Sequence, residues 1–133
     1  MTAEFVGGDC LVLFVADLAR SRDFYGNVLG MALEHEDDNS SVYETENGIL
    51  LLLVVEAAED LLGKEHVGLV GRGGATSVNV AAVDDVDATY ASLRAKGVEF
   101  LRPPEDRWWG MRTAHLADPD GHVWEIHHKL AQR

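Results

Sequence analysis

The residues with chemical potential gather toward the C-terminal third of the chain. Glu125 stands between Trp124 and Ile126 in an otherwise apolar segment. An inward-facing carboxylate there is partly desolvated and needs a partner or a raised pKa. It suits a general base or an anchor for a cationic group; a salt bridge to Arg112, or to another base on a neighbouring strand, would satisfy it equally. His127 and His128 are adjacent, so in a regular strand they point to opposite faces and only one can share the face of Glu125. Parity leaves two choices upstream: either His115 with Thr113 or Arg112 with Ala114 faces inward. His115 and His127 beside Glu125 would form a two-histidine, one-carboxylate set able to hold a metal. Trp108 and Trp109 follow the acids Glu105 and Asp106 and precede Gly110. Such rings either pack on a domain or dimer surface or form a lid on which a flat ligand stacks, and the nearby carboxylates suit a planar, cationic guest. His35, His66 and His122 lie in charged or turn sequence and read as solvated.

The elements that must position these groups follow from periodicity. Cys10–Val15 (CLVLFV) reads as a strand, and Asp17 caps a helix whose Phe24, Tyr25, Val28 and Leu29 fall on one stripe and which Gly30 stops. Met31–Glu36, Ser41–Glu46 and Ile49–Val55 read as strands, the last two joined by the turn Asn47-Gly48. After a loose stretch from Ala57 to Ala75 the order returns. Ser77–Val83 is a strand, Asp85 caps a helix carrying Val86, Tyr90 and Leu93, and Lys96-Gly97 ends it. Val98–Leu101 is a short strand stopped by Pro103-Pro104; Met111–Ala117 and His122–His128 are the last two, the latter opened by Asp120-Gly121. VADL at 15–18 lies 68 residues before VDDV at 83–86, and the two turns differ by 73, so the chain is a tandem repeat of one βαβββ unit.

Composition removes several function classes. With 133 residues, 47% hydrophobic, the chain can close a core without disulfides or a structural metal. Its single cysteine and the N-terminal MTAEFVGGDC, neither basic nor long and apolar, point to a cytoplasmic protein. The longest apolar run, Ile49–Val55, is 7 residues, against the roughly 20 that a bilayer requires, so no membrane partner is expected. A net charge of −12 opposes nucleic acid and favours a cationic partner, if it does more than keep the protein soluble. Gly71-Arg72-Gly73-Gly74 lacks the Lys-Ser/Thr of a phosphate-binding loop, and neither G-x-S-x-G nor C-x-x-C occurs.

A strand followed by VADLARSRDFYGNVLGM, then a second copy carrying VDDVDATYASLRAKGVEF and WGMRTAHLADPDGHVWEIHH, resembles the vicinal oxygen chelate superfamily of glyoxalase I, extradiol dioxygenases, fosfomycin-resistance enzymes and bleomycin-resistance proteins. The resemblance covers nearly the whole chain and is most specific in D-L-x-R-S-x-x-F-Y-x-x-V-L-G and W-G-x-R…D-P-D-G-x-x-x-E. It implies an α+β fold: two tandem βαβββ modules forming a cup-shaped mixed sheet with helices on the convex side. Module 1 would span about 8–56, a linker 57–75 and module 2 76–130, all within a single domain, 1–133.

The resemblance also implies metal-ligand positions, five residues before the valine of V-x-D (Cys10, Val78) and four after the turn glycine (Leu52, Glu125). Leucine and valine have no lone pair, a thiol is a soft ligand, and Glu125 alone cannot hold a divalent ion. No metal and no cofactor are therefore expected. Alternation from these positions turns Cys10, Val12, Phe14, Leu50, Leu52, Val54, Val78, Val80, Ala82, Val123, Glu125 and His127 to the cup, an apolar surface that is either a filled core or a small-molecule pocket. The expected function is metal-independent binding, as in sequestration, of an aromatic or cationic compound. Phe14, Leu52, Val78, Trp108, Trp109, Arg112, His115, Glu125 and His127 would contact it, with Glu125 as the candidate catalytic group. The alternative is a metal-dependent lyase, isomerase or dioxygenase using Glu125 with His127 and His115. Small two-module relatives imply a homodimer.

Overall fold

The computed structural model describes residues 10–46, 48–68 and 77–131. Asn47 of the expected first turn, Gly71-Arg72-Gly73-Gly74 and the ends of the chain lie outside the described residues. The chain divides into two compact units, residues 1–68 and 69–133.

In the first unit β1 (Cys10–Val15) leads through the cap Asp17, whose side chain accepts the Arg20 N–H, into α1 (Leu18–Arg22). The helix runs on as a π-helical turn over Asp23–Val28, and Gly30, at φ 72°, reverses the chain. β2 (Ala32–Glu36), β3 (Ser40–Thr45) and β4 (Gly48–Val54) complete a mixed sheet of order β1-β4-β3-β2, with β1 parallel to β4. Its helix-covered face is apolar: Leu13, Val15, Tyr43, Leu50 and Leu52 are buried with Leu18, Phe24 and Tyr25 of the helical segment. Arg22 clamps the two layers, donating to Ser41 Oγ and to the carbonyls of Asp37 and Ser40.

The register corrects one expectation. Leu52 pairs with Leu13 and Ser41 and is fully buried, whereas Phe14 pairs with Leu53 on the opposite face with Cys10 and Val12. Phe14 and Leu52 therefore cannot line one surface. A parallel partner keeps the same facing as the residue beside it, and counting from the turn glycine set β4 off by one.

The residues after β4 do not form a loose linker throughout. Val55–Leu62 is a helix, α2, which buries Ala58, and Lys64–His66 is a single 3₁₀ turn. The run Glu56-Ala57-Ala58-Glu59 followed by Leu61-Leu62 is made of strong helix formers.

In the second unit β5 (Asn79–Ala82) is followed by α3 (Val86–Ala95), where Asp85 accepts the Ala88 N–H, the counterpart of Asp17. β6 (Phe100–Asp106), β7 (Met111–Ala117) and β8 (Val123–Lys129) give the order β5-β8-β7-β6, again with the first strand parallel to the last. β6 passes through Pro103-Pro104 instead of stopping before them. It is an edge strand, and its register shifts between Arg102 and Glu105, so the two residues that lack an N–H sit where no ladder bond is required.

Leu52→Ala should lower the unfolding free energy by roughly 2–5 kcal/mol in urea titration. A loss below about 1 kcal/mol would contradict its placement in the core.

Candidate functional site

Strand pairing decides which groups meet. Across β5-β8-β7, Glu125 lies beside Val80 and His115, and His127 beside Ala82 and Thr113. The alternate positions Ile126, Ala114 and Leu116 are buried with Val86 and Leu93 of α3. The second sheet thus has a helix-covered face and an open face, and Glu125, His115, His127 and Thr113 share the open one. Of the two parities left undecided by sequence, the structure takes His115 with Thr113.

Glu125 is the centre of this face. Its Oε1 lies 2.9 Å from His115 Nε2 and its Oε2 3.4 Å from His127 Nδ1, with 15% of its side chain exposed. The His115 imidazole is at hydrogen-bond distance from the carboxylate and the His127 ring at ion-pair distance, and both contacts offset its desolvation. No acceptor or donor among the described residues meets His115 Nδ1, which is buried.

Arg112 is not the partner of Glu125. Its Nε and Nη2 donate to the two carboxylate oxygens of Asp87 at 2.9 Å each, and Nη1 donates to Asp106 at 2.8 Å. These bonds fasten β7 to the start of α3 on the face opposite Glu125, so the expectation that Arg112 would contact a ligand beside Glu125 is corrected. The two carboxylates push the guanidinium pKa above its usual value, and the guanidinium holds Asp87 below the usual carboxylate range. His128 is on this side too: its Nδ1 accepts the Val86 N–H at 2.8 Å, satisfying one of the unpaired amides at the helix start.

The hairpin between β6 and β7 carries the tryptophans. A three-residue loop, Trp108-Trp109-Gly110, is closed by the Arg107 N–H to the Met111 carbonyl at 2.7 Å, and Gly110 adopts φ 87°. Trp108 is 93% and Trp109 51% exposed, and their rings meet edge to face at 5.5 Å. The cation over Trp109 comes from the chain itself, with Arg107 Cζ 6.0 Å from the ring centroid. Arg107 also donates from Nε to Thr113 Oγ1 at 2.9 Å and pairs with Glu105 at 3.0 Å. Sequence reading passed over Arg107, although its parity with Glu105 was a usable signal once β6 is known to continue past the prolines. Val78 precedes β5 and is exposed; Phe14 is half-buried on the open face of the first sheet.

His122 also departs from expectation, being buried with 8% exposure. Its Nδ1 lies 2.7 Å from Asp118 Oδ2, while Asp118 Oδ1 accepts the N–H groups of Asp120 and His122. Asp118, Asp120 and His122 form the only histidine and carboxylate cluster among the described residues whose donor atoms all lie within 4.8 Å of one another. Both carboxylate oxygens of Asp118 take part in holding the turn.

The metal that the resemblance implies does not fit the residues present. Val12 pairs with Leu51 as Val80 pairs with Glu125, so the first-unit counterpart of Glu125 is Leu51 rather than Leu52, and it too has no donor atom. Val78 offers none, Cys10 is an exposed thiol, and the donor atoms of His115, Glu125 and His127 do not converge within the same 4.8 Å.

Comparison with known proteins bears on the same frame. The sequence model of the Glyoxalase/Bleomycin resistance protein/Dioxygenase superfamily matches residues 8–126. Uncharacterized protein YraH of Bacillus subtilis is 33% identical over 121 residues, covering 89% of this chain and 94% of that protein. A probable lactoylglutathione lyase of Vibrio cholerae is 30% identical over 122 residues, covering 86% and 85%. The crystal structure of a glyoxalase/bleomycin resistance protein/dioxygenase from Nocardioides superposes with a TM-score of 0.84 at 27% identity, covering 99% of this chain and 89% of that one.

The lowered Asp87 pKa sets an acid dependence. A carboxylate whose folded pKa is depressed contributes stability that is full above its unfolded value and lost as pH falls through the folded one. Melting temperature should therefore drop as pH falls below 3.8, and Asp87→Asn should flatten that part of the profile while lowering stability at neutral pH. An unchanged acid limb in the variant would show that the pair does not couple to folding.

Proposed function

This chain belongs to the Glyoxalase/Bleomycin resistance protein/Dioxygenase superfamily, and we propose that it binds a small aromatic or cationic molecule on the open face of its second sheet without a metal. The observation that carries the reading is Glu125: a mostly buried carboxylate beside Val80, with two imidazoles at its oxygens and a half-exposed tryptophan on the neighbouring hairpin. Glu125 anchors the cationic or hydrogen-bond-donating end of the guest, and Trp109 supplies an aromatic surface. The apolar remainder favours an amphipathic body.

The short contact between His115 and Glu125 supports a second reading, turnover by acid–base chemistry. A carboxylate held by an imidazole can take a proton from a bound substrate and return it, the exchange a lyase or isomerase needs. The relative described as a probable lactoylglutathione lyase belongs with this reading.

The chain acts as a homodimer on this proposal, since each sheet leaves edge strands that a second copy can cover. Light scattering should give twice 14.6 kDa, and a concentration-independent monomer mass would refute it. Among the described residues no helix is long and apolar enough to cross a membrane. The exposed thiol of Cys10 suits the reducing cytoplasm.

Titration with an aromatic cation should change tryptophan fluorescence, and Trp109→Ala should weaken binding by about 1 kcal/mol. Glu125→Gln should weaken the cation by roughly 1.5–3 kcal/mol and leave a neutral isostere nearly unaffected. Equal losses for both compounds would make Glu125 structural. Near-stoichiometric zinc, iron, nickel or manganese in elemental analysis of the purified protein, lost in Glu125→Gln, would overturn the metal-independent reading.

A further inference from the structure

We infer, resting on the binding reading above, that the guest of this face carries an anionic group besides the group held by Glu125, and that Arg107 selects it. Glu105 pairs with Thr113 across the strands, and Arg107, two residues on, returns to the same face. There its Nε donates to the hydroxyl of Thr113, which is fully buried, and its Nη1 pairs with Glu105. The Trp109 ring lies beside the guanidinium plane. Three contacts of different kinds therefore fix the orientation of a group whose side chain is only 26% exposed.

The fixing leaves donors over. A guanidinium has five N–H groups. The contacts with Thr113 and Glu105 engage Nε and Nη1, and among the described residues no acceptor meets Nη2. A preorganised, partly desolvated fork with unused donors is the arrangement that recognises a carboxylate or similar oxyanion.

Position and charge narrow the class further. Thr113 is directly opposite His127, so it stands diagonally from Glu125 on the open face. Diagonal positions in an antiparallel pair are about 7–8 Å apart. A guanidinium bonded to the residue at one of these positions and a carboxylate at the other, with a tryptophan at the cationic end, suit an aromatic ring bearing a carboxylate at one end and an ammonium at the other. A simple anion would approach against the net charge of −12, whereas an amphoteric guest carries no net charge and meets both ends.

The test uses three probes on the full chain by calorimetry: 4-(aminomethyl)benzoate, 4-methylbenzylammonium and 4-methylbenzoate. The amphoteric probe should bind about tenfold more tightly than the ammonium probe. Arg107→Gln should abolish that preference while leaving the ammonium probe within about twofold. Glu105→Gln alters an exposed side chain and removes the carboxylate charge that competes for Arg107, so it should increase the preference and serves as the test if Arg107→Gln does not fold. Equal affinities in the unaltered chain, or a preference that neither substitution moves, overturn the inference. Binding of the ammonium probe with no gain from the carboxylate overturns this inference and leaves the binding reading standing; failure of all three probes to bind overturns both.

Discussion

The pairing of β7 with β8, His115 opposite Glu125, is the constraint on which the chemistry of the second unit depends. In a strand pair a slip of one residue transfers every side chain to the other face. A slip of β8 would send Glu125 and His127 under α3 and bring Trp124, Ile126 and His128 to the open side. Burial opposes this, because Ile126, Ala114 and Leu116 form the apolar layer against the helix. The same residues that build the core therefore determine which titratable groups face outward together.

Polar contacts on the helix side reinforce that register without entering the core. Arg112 grips Asp87 and Asp106, and His128 accepts the first amide of α3, both across the strand pair Arg112 and His128. These groups are directional where apolar packing is not, so they specify how the helix start meets the sheet. In the first unit the equivalent connection is made by Arg22, which reaches from the helix to Ser41 and to the carbonyls of Asp37 and Ser40. The repeated frame has thus acquired two unrelated fasteners.

The repeat also separates frame from chemistry. Asp17 and Asp85 perform the same capping task 68 residues apart, and each unit pairs its first strand with its last in parallel. At the positions where the second unit carries Glu125 and His127, the first carries Leu51 and Leu53. The pattern of burial on the helix side is kept in both copies, while the open-face positions are free to differ because they do not hold the layers together. A family match over residues 8–126 consequently says more about the frame than about what the open face does.

Order and type of the repeated elements were legible in the sequence because they depend on local periodicity and capping: β1 and β7 have the bounds that alternation predicts, and the two expected helices start at their aspartates, whereas α2 was read as part of a loose stretch. Facing within a strand was legible only where one anchor was secure. Glu125 and His127 shared a face by simple parity, but Leu52 and Phe14 were paired wrongly because facing across strands depends on register, a non-local property. The prolines of β6 were read as a stop because their tolerance depends on an edge position and a register shift that only the assembled sheet supplies. Tertiary structure likewise decided the partners: Arg112, 13 positions from Glu125 in the chain, is turned to α3, while His115 takes the place beside the carboxylate. A side chain's type limits what it can bond, and the strand register decides what it meets.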